Sequence, residues 1–121
     1  SSAASDVYKR QLPALSDYAA QEADKAMAVK NFIPEASTAE AAALVGKLTS
    51  AYESISSGVK ALDKEIQTVS GFASMQKAAD YCRSTLLVSM DKLRQTADAV
   101  EAKIPDENLP YPTYDALLFS I

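Results

Sequence analysis

Sixteen carboxylates, six tyrosines and one cysteine are the residues of this 121-residue chain best suited to acid–base or nucleophilic chemistry. Histidine is absent. That removes the commonest general base and the commonest metal ligand together. A serine or cysteine nucleophile activated by histidine cannot be built. A zinc site would need several thiols, and Cys82 stands alone. There is no P-loop and no G-x-G-x-x-G, and only three glycines in all. The carboxylates are spread along the chain, as on solvated helix faces. The sequence therefore assigns no catalytic, cofactor-binding or metal-ligating residue.

Composition narrows the partners and the fold class. A formal net charge of −4 gives no electrostatic footprint for nucleic acid or anionic lipid. The longest strictly aliphatic run is Leu86-Leu87-Val88, against the roughly 20 apolar residues of a membrane span. No signal peptide is read, and the single cysteine fits a reducing cytoplasm. An apolar content dominated by alanine and leucine, with few glycines, predicts an all-α chain.

Three helices are expected, over about 13–31, 38–69 and 73–104, followed by a tail over 105–121. In the first, Leu12, Leu15, Ala19, Ala26 and Met27 lie near one face. Pro13 suits either the first turn of that helix or a kink within a longer one. Asn31 is the expected C-cap, with Pro34 barring continuation. Ser37-Thr38-Ala39-Glu40 reads as a capping box opening the second helix. There Val45, Tyr52, Val59 and Ile66 repeat every seven residues, interleaved with Ala41, Leu48, Ile55, Leu62 and Val69. That is an a/d seam over about four heptads. Gly58 lies off it. Ser70-Gly71 breaks the helix. The third continues through Met75, Ala79, Cys82, Leu86, Met90, Leu93, Ala97, Val100 and Ile104 to Pro105. Its polar face offers Lys77–Asp80, Asp80–Arg83 and Arg94–Asp98 as ion pairs. Cys82 falls on the apolar stripe, so a buried, inert thiol is expected. The short break makes the last two helices an antiparallel hairpin, and the first covers its open edge: an antiparallel three-helix bundle.

The two ends stand apart. Residues 1–11, SSAASDVYKRQ, show no helical period. They resemble a translated sequencing-adapter read-through, and imply a non-native or disordered segment before a helical domain over 12–121, with natural chain continuing upstream. The C-terminal LPYPTYDALLF is apolar and aromatic. Pro110 and Pro112 hold the backbone extended. Leu109, Tyr111, Tyr114, Leu117, Leu118 and Phe119 then need a surface, either the chain's own bundle or another domain or subunit.

The pattern Pro-x-Pro-Thr-Tyr-x-x-Leu-Leu-Phe at 110–119 resembles the C-terminal signature of type III glutamine synthetases, the long-chain, mainly bacterial form. QLPALSDYAAQEA and ADYCRSTLLVSMDKLRQTADAVE resemble helices of the same family. Leu109 departs from it, standing where the family usually has tryptophan. The resemblance implies a parent ligase of nitrogen metabolism that joins ammonia to glutamate, using ATP and magnesium or manganese. It places the catalytic residues in upstream domains, with none in this chain. It implies a structural, assembly-forming C-terminal region, partnered by the upstream catalytic domain and neighbouring subunits of a cytoplasmic homo-oligomer. A free-standing helical interaction module is the opposing expectation.

Overall fold

A computed structural model describes residues 3–104. Every regular element among them is helical: α1 (Ala3–Lys9), α2 (Gln11–Phe32), α3 (Ala39–Ser70), α4 (Met75–Tyr81), a π-turn (Cys82–Leu86) and α5 (Leu87–Glu101). α3 contacts α1 and α2 along one side, and α4, the π-turn and α5 along another.

The first correction is at the N-terminus. Residues 3–9 form a helix rather than an irregular segment, and Ser5 is buried. α1 runs into α2 through Arg10, itself in helical conformation. Pro13 explains the hitch. It has no N–H for the carbonyl of Lys9, and its ring displaces that carbonyl. Of the two roles expected for Pro13, a place in the first turn of a helix is the one its position in α2 matches, with helical Arg10 joining that turn to α1.

The other boundaries move for local reasons. α2 passes through Asn31 to Phe32. Its C-cap is Ile33, extended at φ −123°, the geometry a following proline imposes. The capping box does not form. α3 has Thr38 as N-cap without a side-chain bond, and Ser37 Oγ accepts from Ala39 N–H at 3.2 Å, one turn residue too early. At the far end, Gly71 N–H donates to the Thr68 carbonyl and Phe72 N–H to that of Val69. Phe72 then packs edge-on against Tyr81, with centroids 5.3 Å apart. Ser74 caps α4, its Oγ accepting from Lys77 N–H.

The expected single third helix is interrupted. In the π-turn, Leu87 N–H donates to the Cys82 carbonyl, five residues back. Cys82 is half-buried rather than enclosed, and Met75 at the start of the stripe is 90% exposed. Asp80 accepts from Gln76 and pairs with Arg83, while Arg94 pairs with Asp91 at 3.6 Å rather than with Asp98.

The core consists of Leu15 and Tyr18 from α2, Leu48, Ile55, Val59 and Leu62 from α3, Leu93 and Val100 from α5, and Ile104. Leu44 and Ala51 pack against it, whereas Tyr52 on the expected seam is exposed. Leu44, Ala51 and Gly58 recur every seven residues, one place before Val45, Tyr52 and Val59. The buried face of α3 thus includes a column that a strict a/d reading omits. A straight helix drifts about 20° per heptad against such a repeat.

That column explains Gly58. A Cβ built on it would meet Leu93 Cδ1 at 2.9 Å, so α5 lies close over the backbone of α3 here. Gly58→Ala should be nearly neutral, because a helix-propensity gain of about 1 kcal/mol opposes the push on a flexible leucine methyl. Gly58→Val adds two further methyl groups against Leu93. It should lower unfolding free energy by about 1–3 kcal/mol in urea titration; a fully stable valine variant would refute the close approach.

Candidate interaction site

The described residues bring polar groups together mainly where α1 and α2 meet the other helices. Ser5 Oγ donates to Asp63 Oδ1 at 2.7 Å, and Lys9 Nζ lies 3.2 Å from Asp63 Oδ2. Two turns of α1 are thereby tied to α3. One residue past the hitch, Gln11 is buried, and its Nε2 donates to the Ala97 carbonyl at 3.3 Å and to Glu101 Oε1 at 3.2 Å. A single side chain so links α2 to α5. Tyr8 packs on the core between these contacts. Farther along, Ser89 Oγ of α5 donates to Glu65 Oε1 of α3 at 2.9 Å.

The electrostatics follow from these contacts. The Ser5 hydroxyl, and after it the Lys9 ammonium, hold the Asp63 carboxyl below its ordinary 3.8, against an opposing effect of burial. Burial raises the Tyr8 phenol above 10.0, the Asp98 and Glu101 carboxylates add to it, and Arg94 acts against them. Both shifts belong to the attachment of α1. Their causes are groups on different helices, so the arrangement holds helices together. Among the described residues, no group of three or more Cys, Asp or Glu is placed to hold a metal. No described helix is long and apolar enough to cross a membrane.

Two openings mark the surface. One runs between α3 and α5 beside Gly58, edged by Ser57, Ala61, Ser89 and Lys92. The other lies between the C-terminal half of α2 and the first turns of α3, where Ala26 and Met27 face Ala41 and Val45. Beyond it Val29, Phe32 and Ile33 are exposed, Phe32 to 87%. Met27, expected on the covered stripe of its helix, is 53% exposed instead. The residues expected to dock the tail, Leu109, Pro110, Tyr111, Pro112, Tyr114, Leu117, Leu118 and Phe119, lie outside the described residues. The N-terminal contacts went unread in the sequence: Ser5 and Lys9 are spaced four apart on one helix face, a signal that an apolar-period search passes over.

A glutamine synthetase of Butyrivibrio fibrisolvens is 40% identical to this chain over 80 residues, which make up 64% of the chain and 11% of that relative. The chain therefore corresponds to a small part of the relative's length. No family model and no solved structure matches it.

The contacts of Ser5, Tyr8, Lys9 and Gln11 tie this end of the described chain to the other helices. Removal of residues 1–11 should lower the melting temperature by about 5 °C or more, since it takes away Tyr8, Gln11 and the Asp63 contacts. The Asp63 part carries a pH signature. A lowered carboxyl pKa contributes stability above the unfolded value and loses it as pH falls through the folded one. Asp63→Asn should thus be less stable than the wild type at pH 6, and the difference should vanish as pH drops below 3.8. Parallel acid titrations by circular dichroism check this; a difference independent of pH would remove the carboxylate from the account.

Proposed function

We propose that this chain is the C-terminal helical region of a type III glutamine synthetase, and that its work in the parent enzyme is packing rather than chemistry. The observation that carries the reading is the 40% identity over 80 residues to a glutamine synthetase of which the matched stretch is 11%. The tail pattern at 110–119 adds the subtype. The all-helical architecture and its long apolar seams suit a bracing role.

The parent reaction joins ammonia to glutamate with ATP and a divalent metal. A chain without histidine supplies no histidine ligand to that metal, so catalytic and cofactor-binding groups belong to upstream domains. The partners of this region are then the catalytic domain of the same chain and neighbouring subunits of a homo-oligomer in the cytoplasm. In it, Tyr111, Tyr114, Leu118 and Phe119 anchor the tail to an apolar surface, while Pro110 and Pro112 limit the conformations it gives up on docking.

Two measurements test this. The purified 121-residue chain, given glutamate, ammonium, ATP and magnesium, should form no glutamine; turnover by it would place an active site here. In the full-length enzyme, Phe119→Ala and Tyr114→Ala should lower thermal stability, each by about 1.5–3 kcal/mol if its ring is fully buried, or loosen assembly. Unaltered melting and oligomer size in both variants would deny the tail an anchoring role.

A further inference from the structure

We infer that residues 105–121 of this chain lie along the two-helix arm formed by the C-terminal half of α2 and the first turns of α3, seated in the crevice between Ala26, Met27, Ala41 and Val45. From residue 19 to residue 47 no side chain is buried, whereas Tyr18 and Leu48 at the root of the arm are. The arm is therefore about 20 Å of paired helix without a third element among the described residues. α5 is what covers α3 elsewhere. It runs antiparallel to α3, with Leu93 over Gly58 and Ser89 on Glu65. Counting on from Leu93, Ile104 comes level with the turn at Lys47 and Leu48, where it joins their core cluster. The covering chain thus reaches the root of the arm just as residue 105 begins. The a/d seam that holds Leu48 and Ile55 continues past the root as Val45 and Ala41.

The segment that follows matches the surface in length and character. Seventeen residues extend about 50 Å at polyproline rise, more than twice the arm. Eight of them, from Leu109 to Ile121, are apolar or aromatic, and the alanines of the crevice leave room for large side chains. Attachment at Ile104 gives the tail a local concentration in the millimolar range, ahead of any free partner. Large side chains in the crevice would cover Met27, which lines it and is 53% exposed.

Hydrogen exchange on the 121-residue chain tests the assignment. Leu118→Asp combined with Phe119→Asp should speed amide exchange over residues 23–29 and 39–45 roughly tenfold, leaving 55–62 unaltered. A chain ending at Ile104 should do the same. Independently, a chain carrying Cys82→Ser, Ala42→Cys and Leu117→Cys should give an internal link with a short bis-maleimide at micromolar protein. Arm exchange indifferent to both tail variants would overturn the assignment. So would a dimeric cross-linked product, or arm protection that rises with protein concentration, either of which makes a second copy the occupant. These readings concern the chain by itself, so their failure leaves the enzyme assignment standing.

Discussion

Burial of α3 on two sides is the constraint on which the other helices depend. α2 and α5 do not share an extended interface; each meets α3, and the core is made where its apolar columns face both. Leu48, Ile55 and Leu62 are almost completely enclosed, and each such side chain contributes about 1.5–3 kcal/mol relative to exposure. Helix propensity alone would not hold a 32-residue helix in place as part of a unique fold. Where only one neighbour is present among the described residues, as toward the α2–α3 loop, enclosure stops, although the sequence pattern does not.

That separation between pattern and enclosure accounts for much of what could be read in the residues. The helical class and the seam of α3 were legible because a seven-residue apolar repeat has one straightforward explanation. Tyr52 and Met27 satisfy the repeat and remain exposed, since periodicity records which side of a helix is apolar and not how far its neighbour extends. Gly58 was undecidable for the complementary reason: a missing side chain carries no period, and only the position of Leu93 gives it meaning. The π-turn left a faint trace. Cys82, Leu86 and Met90 step by four twice in succession, where the seam elsewhere alternates. The candidate site was barely legible. Its contacts at Ser5, Lys9 and Gln11 are polar and join residues 54 to 90 positions apart, and local pattern has no access to such distances.

Two properties can be separated in the described residues: a core that holds its own shape and surfaces left uncovered. The chain has both, distributed unevenly. Polar ties from Asp63, Glu65 and Gln11 cluster along the enclosed half, where they set helix register by hydrogen bond as well as by volume. The other half is lined by alanine, with Met27, Val29, Phe32 and Ile33 near the loop, and carries few cross-helix polar contacts. Apolar contact without directional bonds leaves a surface that other apolar chain can cover.

The π-turn has a further consequence, for how the chain tolerates change in its length. It is an α-helix holding one residue more than its turns require. Deleting one residue between Cys82 and Leu86 would let the helix close with ordinary four-back bonds while the segments on either side kept their facing. The same deletion near Gln95 would rotate everything after it by about 100°, carrying Ala97 and Val100 off the core. Single-residue gaps between related chains should therefore collect at this turn and be excluded from the rest of α5, so that the helix has one place where its numbering can slip without its packing being disturbed.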